Sequence, residues 1–320
     1  MNIKPIIIVA GEPNSIFFEI FFKSINNNKF KCPIILIGSK KLLELQLKYY
    51  KQKILLNELN FNKIDKNTIY KKLNIINVEY AQKIPFKKIS EKSKDYISKC
   101  FDIGIKLIKK KISYKFINGP ISKKNFLSKK YLGVTEYISK KFLSKKNAML
   151  IYNKEISVCP LTTHLPLKDV AKKINKKLIK DKVLLINDFY KKKFNHKPKI
   201  AVLGLNPHCE SIHEINEDEK ILKPTVKYLQ RLNYNIYGPF SADTIFLKNN
   251  RKRFDVILGM YHDQVLTPIK TLFEYDAINI TLGLPFIRIS PDHGPNQTML
   301  GKNRSNPTSL LKAIQFLDKN

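Results

Sequence analysis

Three of the six histidines in this 320-residue chain lie in short polar segments that contain few lysines. They are His164, His208 and His262, and 44 and 54 residues separate them along the chain. Three imidazoles that leave a fourth position open are typical of a catalytic site for a divalent cation, Zn²⁺ above all. A single histidine is more often an ordinary core or surface residue. The metal hypothesis therefore depends on a fold that brings the three side chains together.

The histidine segments follow short β-branched runs, which alternate with longer amphipathic stretches rich in lysine. The runs predict strands at 6–10, 33–37, 75–78, 115–118, 148–152, 156–159, 199–203, 255–258 and 277–280. The longer stretches predict helices at 39–51, 91–109, 167–191, 217–232 and 307–317. Such alternation predicts an α/β fold with mostly parallel sheets and helices on both faces. Ligands of open α/β sheets bind beyond the carboxyl ends of the strands, so we expect the histidines to face one cleft.

The net charge of +33 raises the question of nucleic-acid binding, but the kind of basic residue argues against it. Only five of the 59 basic residues are arginine, the residue that makes bidentate contacts with bases and phosphates. The lysines are scattered over the whole chain, and their charge can still steer anionic, phosphorylated substrates. A nucleic-acid-binding protein on an enzyme-derived scaffold is the alternative from another class. Salt-sensitive binding to random duplex DNA would identify it.

The cysteines and the apolar runs indicate the compartment. Four widely spaced cysteines without a C-x-x-C pair predict a reducing environment and no disulfide framework. The N-terminal apolar run is shorter than that of a signal peptide, and no run approaches the roughly 18 apolar residues that a membrane span needs. We therefore expect a cytoplasmic protein without a membrane partner.

Five motifs occur in a fixed order along the chain. They are Thr-Thr-His-Leu-Pro-Leu at 162–167, Leu-Asn-Pro-His at 205–208, Gly-Pro-Phe-Ser-Ala-Asp-Thr at 238–244, Met-Tyr-His-Asp-Gln at 260–264 and the segment 279–288. This series resembles the 4-hydroxythreonine-4-phosphate dehydrogenase family, NAD-dependent enzymes of pyridoxal 5'-phosphate (vitamin B6) biosynthesis. The resemblance extends from Gly11 to the C-terminal helix, and thus covers nearly the whole chain.

The resemblance implies a two-lobed fold like that of isocitrate and isopropylmalate dehydrogenases, with the active site in the cleft. The lobes would be interleaved, with 1–130 and 280–320 in one and 131–279 in the other. It also implies a homodimer whose metal site is completed across the interface. The metal ligands would be His164, His208 and His262. Zn²⁺ is the expected cation, with Mg²⁺ or Co²⁺ as alternatives.

The resemblance also implies substrate contacts by Thr135, Lys270, Asn279 and Arg288. Lys270 and Arg288 supply fixed positive charge for a phosphate or a carboxylate, arginine through a bidentate fork and lysine as a point charge. The ordinary alternative for these two residues is a surface lysine and a structural arginine.

Two aspartates beside the histidine motifs are candidates for catalytic roles. Asp243 and Asp263 could orient a ligating imidazole or transfer a proton. Asp243 could equally well cap the turn before Thr244. The contacts with the nicotinamide are not readable, because the chain has no G-x-G-x-x-G; the family uses none.

The activity implied is the oxidation of 4-phosphooxy-L-threonine by NAD⁺, followed by loss of CO₂ to give 3-amino-2-oxopropyl phosphate. A divalent cation lowers the pKa of the hydroxyl and polarises the ketone, and the nicotinamide accepts the hydride. A close alternative keeps this chemistry and changes the substrate to phosphorylated D-threonate or D-erythronate.

Two departures from the family pattern bear on that choice. Val134 stands where the family commonly has a histidine that touches the substrate, and valine cannot form a hydrogen bond. We expect either a replacement contact or a changed substrate preference. The loop 11–19 lacks two glycines and a proline of the family pattern, so the backbone must avoid a positive φ at Ser15 and Phe17 or accept strain.

Overall fold

Two sets of mainly parallel strands organise the chain. The computed structural model describes residues 3–26, 28–64, 73–122, 125–126, 133–210, 216–291 and 293–319. The chain divides into unit 1, formed by Met1–Phe142 with Pro285–Asn320, and unit 2, formed by Leu143–Leu284. These divisions lie within about a dozen residues of the expected lobe boundaries at 130 and 280.

Unit 1 contains a wholly parallel set of strands in the order β3-β4-β2-β1-β5-β12. The strands are β1 (Ile6–Val9), β2 (Ile34–Gly38), β3 (Leu56–Glu58), β4 (Leu73–Asn77), β5 (Lys115–Asn118) and β12 (Ile287–Pro291). The helices are α1 (Phe17–Ile25), α2 (Lys40–Tyr49), α3 (Lys94–Lys109), α4 (Val134–Lys141) and α10 (Thr308–Asp318). The apolar run of β1 is buried along its whole length, as expected of a strand inside a parallel sheet.

Unit 2 contains the strand order β11-β6-β7-β10-β8-β9. The strands are β6 (Ala148–Tyr152), β7 (Ser157–Pro160), β8 (Ile200–Leu203), β9 (Ile236–Phe240), β10 (Val256–Gly259) and β11 (Ile278–Leu282). The helices are α5 (Val170–Lys173), α6 (Lys176–Phe194), α7 (Lys223–Arg231), α8 (Lys248–Arg251) and α9 (His262–Phe273). Strands β7, β10, β8 and β9 are parallel, whereas β6 is antiparallel to both of its neighbours. The predicted class, a mostly parallel α/β fold, is confirmed.

One predicted helix, 167–191, is interrupted in the structure. A 3₁₀ turn (Leu167–Asp169) and the short α5 precede α6, which begins only at Lys176. The cause is local: the Asn175 side chain accepts a hydrogen bond from the Leu178 backbone N–H at 2.9 Å and so caps a new helix.

The core of unit 2 lies under the carboxyl ends of its parallel strands. Val158, Leu203 and Ile257 from three neighbouring strands pack with Val265 and Ile269 of α9, and all five are almost completely buried. This apolar layer gives the loops that follow the strands a rigid base. No helix in the described ranges combines the length and the apolar character that crossing a bilayer requires.

Candidate functional site

The three candidate metal ligands leave the sheet of unit 2 at the same edge. His164 follows β7, His262 follows β10 and His208 follows β8, and these strands are parallel neighbours in the order β7-β10-β8. His164 and His208 are exposed, and His262 is partly exposed. The fold therefore joins segments that are 44 and 54 residues apart in the chain.

The side chains are only partly drawn together. The ring centroids of His164 and His262 are 6.0 Å apart, whereas His208 approaches Asp243, with 3.9 Å between Nδ1 and Oδ2. In the parts of the chain that the structure describes, no three His, Cys, Asp or Glu side chains are grouped closely enough to hold a metal ion. A common cation bound by the three histidines therefore stays a prediction.

Two of these histidines have an uncommon backbone conformation. His164 and His208 each have φ of 55°, and Cys209 follows with φ of 61°. Left-handed φ values in residues other than glycine cost about 1–3 kcal/mol each and concentrate at functional sites. The strained turn at His208 is held by a hydrogen bond from the Cys209 N–H to the Asn206 carbonyl at 3.1 Å. In both loops the strained residue is the histidine itself, whose imidazole can bind a metal ion.

Each of the two candidate aspartates lies beside a histidine. Asp263 Oδ1 is 2.6 Å from Nδ1 of His262, a contact that leaves Nε2 of that ring for another ligand. The pKa of Asp243 lies below its ordinary value because Ser241 donates a hydrogen bond to the carboxylate, with a smaller contribution from the charge of His208. Asp243 therefore combines a turn contact with proximity to an imidazole, and both interpretations of this residue stay open.

A cavity of about 290 Å³ adjoins two of the histidines. Its lining includes His164, Leu165, Leu167, Tyr261, His262 and Asp263. The mixture of apolar walls with a few polar groups is typical of small-ligand sites. Three imidazoles from adjacent strand ends, one of them paired with a carboxylate, also form a donor set that suits a divalent cation.

In unit 1, Arg288 is a buried cation at a strand end. The residue lies on β12 and is only 2% exposed. Its Nε donates to Asn118 Oδ1 at 2.8 Å, and its Nη1 donates to Thr135 Oγ1 at 3.0 Å. Burial lowers the pKa of Arg288 to about 10, partly opposed by the charge of Glu136, so the guanidinium remains charged at neutral pH. The structure thus brings two predicted substrate contacts, Thr135 and Arg288, into direct contact.

The other predicted substrate residues occupy separate positions. Val134 is the first residue of α4, partly buried, and offers no polar side-chain atom next to Thr135. Lys270 lies in the last turn of α9 and Asn279 on β11, both in unit 2. Asn279 Oδ1 is buried and accepts no hydrogen bond from a described residue, which marks it as an acceptor available to a ligand.

The loop 11–19 lacks two glycines of the family pattern, yet its backbone is not strained at the two positions where they would stand. Neither Ser15 nor Phe17 has a positive φ, which is the first of the two outcomes that the sequence left open, and Phe17 begins α1. Gly11 keeps φ of +78°, and a Cβ there would lie 2.4 Å from the Pro120 carbonyl oxygen. The Glu12 carboxyl is almost completely buried; burial raises its pKa, while a hydrogen bond from Ser93 Oγ at 3.0 Å lowers it less.

Comparison with known proteins now identifies the family. The model of the pyridoxal phosphate biosynthetic protein PdxA matches residues 30–317. The chain belongs to the PdxA family. The 4-hydroxythreonine-4-phosphate dehydrogenase of a Sulfurihydrogenibium species is 38% identical over 315 residues, which cover 97% of this chain and 96% of that protein. The enzyme of the same name from Aquifex aeolicus is 34% identical over 328 residues, 98% of either chain.

A solved structure from the PdxA family agrees with this assignment. The 4-hydroxythreonine-4-phosphate dehydrogenase from Klebsiella pneumoniae superposes with a TM-score of 0.84 at 25% identity, over 98% of this chain and 97% of that chain. The resemblance inferred from the five motifs is confirmed, and membership makes the chain an enzyme related to dehydrogenases.

Sequence reasoning missed three polar residues that support the site. Asn118 orients Arg288, while Asp218 and Gln264 contact the backbone of the histidine loops. Asn118 and Gln264 lie in polar segments at strand ends, which is a usable signal. Asp218 lies in the first turn of a π-helix (Asp218–Leu222), and no spacing in the sequence relates it to His208.

Proposed function

We propose that the chain oxidises 4-phosphooxy-L-threonine with NAD⁺ and a divalent cation, and that the product loses CO₂ to give 3-amino-2-oxopropyl phosphate. The observation that carries this proposal is the placement of His164, His208 and His262 at the carboxyl ends of adjacent parallel strands in a PdxA-family chain. We place this step of pyridoxal phosphate biosynthesis in the cytoplasm. The four cysteines, all free and buried, suit a reducing compartment.

The three histidines would hold the cation, Zn²⁺ or alternatively Mg²⁺ or Co²⁺. When bound, the cation supplies Lewis-acid polarisation of the reacting oxygen, and the nicotinamide accepts the hydride. Asp263 fixes the ring of His262 through Nδ1. Asp243 and Asp263 are carboxylates that can hold the proton released from the substrate hydroxyl.

The substrate's anionic groups would be bound by fixed positive charge. Arg288 offers a guanidinium that is already oriented by Asn118 and Thr135, so little conformational entropy is lost on binding. Lys270 supplies a second charge, and Asn279 supplies a buried acceptor for a substrate donor. The reaction removes a hydride and a proton from a secondary alcohol: NAD⁺ takes the hydride, a carboxylate takes the hydroxyl proton, and carbon dioxide then leaves the β-keto acid.

The test is steady-state NADH formation with 4-phosphooxy-L-threonine before and after chelation. Activity should disappear with the chelator and return with added Zn²⁺, Mg²⁺ or Co²⁺. Substitution of His164, His208 or His262 by alanine should lower kcat/KM at least about 100-fold and abolish Co²⁺ binding. His196→Ala is the matched control, because His196 pairs with Asp255 before the amino end of β10. Full activity after all three alanine substitutions would refute the proposal.

Val134 favours a second candidate substrate. In the family pattern a histidine at this position touches the substrate, and the first turn of α4 here offers valine instead. Phosphorylated D-threonate or D-erythronate should therefore be assayed beside the L-threonine phosphate. A kcat/KM at least about tenfold higher for either acid would assign the enzyme to that substrate with unchanged chemistry.

We further propose a homodimer in which each active site uses residues of both subunits. Sedimentation equilibrium should give the mass of a dimer. A structure of that dimer should show an interface that buries more than about 1,000 Å². Mixing two inactive variants, His262→Ala and Arg288→Met, under conditions of subunit exchange should restore part of the activity if one site draws these residues from different chains. A stable monomer with full activity would contradict this assembly.

A further inference from the structure

Unit 1 contains a lysine whose side chain is completely buried. Lys115 is the first residue of β5, between β1 and β12, and none of its surface is exposed. Among the described residues it is the one buried lysine. Its Nζ donates a hydrogen bond to the sulfur of Cys32 at 3.1 Å. A thiol is a weak hydrogen-bonding group but can act as a nucleophile, so this contact places two reactive side chains together inside the protein.

The C-terminal helix holds Cys32 against this lysine. Cys32 lies two residues before β2 and is 3% exposed. Its backbone N–H donates to Asp318 Oδ1 at 2.7 Å, and its sulfur lies 3.9 Å from the carbonyl oxygens of Leu317 and Asp318, the last two residues of α10. The thiol therefore has little freedom to turn away from Lys115.

The reactivity of Cys32 depends on effects that oppose each other. Burial raises the pKa of its thiol, the hydrogen bond and the charge of Lys115 lower this pKa, and Asp318 raises it to a lesser degree. The pair lies near the surface, because Lys31 and Lys319, which adjoin Cys32 and Asp318 in the chain, are exposed. A chain end opens locally at a low cost in free energy, and such opening admits a small oxidant.

The other three cysteines have different surroundings. Burial raises the pKa of Cys100 to about 12 and that of Cys159 to about 11. Burial also raises the pKa of Cys209, and the charge of Asp218 adds to this effect. In the described part of the chain, the only hydrogen bond between a cysteine and a lysine is that of Cys32. The other three thiols are therefore internal controls for Cys32.

We propose that Cys32 and Lys115 form a reversible covalent crosslink when the protein meets hydrogen peroxide. In the first step the sulfur attacks one oxygen of the peroxide and the O–O bond breaks, which leaves a sulfenic acid and water. In the second step Nζ of Lys115 attacks that sulfur, an S–N bond forms, the S–O bond breaks and a second water leaves. The sulfur is oxidised by two electrons, and the peroxide is reduced to water. The atoms balance for an ammonium–thiolate pair as for an amine–thiol pair, because only the position of one proton differs.

The crosslink protects the thiol and closes a long loop. A sulfenic acid that an amine has captured is no longer open to irreversible oxidation to the sulfinic acid. Added thiol reverses the bond: one thiolate attacks the sulfur and releases the amine, and a second restores Cys32 from the mixed disulfide. The bond joins residues that are 83 positions apart, so it restricts the unfolded chain and should raise Tm by about 5–10 °C.

The test treats the full chain with a small excess of hydrogen peroxide, then measures Tm and analyses a non-reduced digest by mass spectrometry. The wild type should give a linked pair of peptides that contains Cys32 and Lys115 and weighs two hydrogen atoms less than the separate peptides. Dithiothreitol should separate the pair and return Tm to its starting value. Cys159 should remain a thiol in the same digest.

Two lysine variants distinguish the crosslink from ordinary oxidation of a thiol. Lys115→Met should give no linked pair and no rise in Tm, and Cys32 should proceed to the sulfinic acid under the same treatment. Lys4→Met is the matched control, because Lys4 Nζ also donates a hydrogen bond at the amino edge of these strands, to the Lys111 carbonyl at 2.7 Å. It should form the crosslink to the wild-type extent.

The wild-type protein alone decides the proposal, so the test does not depend on the folding of Lys115→Met. A treated wild type in which Cys32 stays a thiol, or becomes a sulfinic acid without a link to Lys115, would overturn the inference. Equal crosslinking of Cys32 to several lysines would also overturn it, because the geometry assigns the bond to one amine.

Discussion

Replacing Arg288 with methionine should distinguish two effects of this buried cation: its effect on the stability of the fold and its contribution to substrate binding. Burial lowers the pKa of Arg288 from its ordinary value to about 10, and this difference corresponds to about 3 kcal/mol. A base whose pKa is lowered on folding holds its proton less tightly in the folded state than in the unfolded chain. The charged arginine therefore opposes folding by this amount at every pH below about 10, and the opposition fades only as the pH rises above 10.

Methionine removes that cost and introduces another. Asn118 Oδ1 and Thr135 Oγ1 lose a donor each, and a buried acceptor left unsatisfied costs about 1–3 kcal/mol. The two effects oppose each other, so the free energy of unfolding of Arg288→Met should stay within about 2 kcal/mol of the wild type. Thr135→Val should destabilise the wild type by about 1 kcal/mol but stabilise the Arg288→Met variant, because valine removes the orphaned acceptor.

The assays are urea unfolding followed by circular dichroism, and steady-state kinetics with 4-phosphooxy-L-threonine. Activity should respond far more strongly than stability, with a fall in kcat/KM of at least about 100-fold, since truncating one partner of a buried charge pair costs about 2–5 kcal/mol. A loss of more than about 4 kcal/mol in the free energy of unfolding would show that Arg288 is a structural residue. A kcat/KM within a few-fold of the wild type would refute its contact with the substrate.

Three further predictions address other parts of the chain. Val134→His should raise kcat/KM for 4-phosphooxy-L-threonine roughly 10- to 100-fold, as one hydrogen bond to a charged group is regained; a lower value would indicate a pocket adapted to valine. Gly204→Ala should destabilise unit 2 by about 1–3 kcal/mol, because its Cβ would lie 2.7 Å from a sulfur atom, whereas Gly294→Ala, with open space around it, should change urea stability by less than about 0.5 kcal/mol. Glu12→Gln should stabilise the protein at neutral pH, because the pKa of Glu12 is raised on folding. The contribution of this carboxyl to stability is complete below its unfolded pKa of 4.5 and is lost as the pH rises through its folded pKa. Tm measured from pH 4 to pH 8 should therefore show a gap between variant and wild type that grows with pH, and a constant gap would contradict the assignment.

Strands with simple apolar runs could be predicted from the sequence, and irregular ones could not. The run Ile6–Val9 is uniformly β-branched and forms β1, whereas β9 contains Gly238 and Pro239, which usually indicate a loop. The helix predicted at 167–191 failed because helical spacing continues across Asn175, whose capping bond depends on one side-chain rotamer. Periodicity reports which face is buried, and it does not report where a local hydrogen bond interrupts the backbone.

The candidate site shows the same division between local and long-range information. The position of His164, His208 and His262 after strands is a local pattern, and the structure places all three at one edge of unit 2. The left-handed backbone at two of them could not be predicted, because only a few per cent of residues other than glycine adopt that conformation, even though histidine is enriched among them. The bond from Gln264 to Gly204 joins residues 60 positions apart, and only the parallel pairing of β10 with β8 creates it.

Unit 1 is built from the two ends of the chain, and this affects how the protein folds during its own translation. Strand β12 pairs with β5, yet the 166 residues from Gly119 to Leu284 are translated between them. At about 5–20 residues per second, the free side of β5 waits roughly 10–30 s on the ribosome for its partner. During that interval the apolar residues Phe116 and Ile117 lie on an unpaired strand edge, which is a template for association with other chains. We therefore expect chains truncated before Pro285 to depend on chaperones. Synthesis of Pro285–Asn320, which completes unit 1, should remove this requirement.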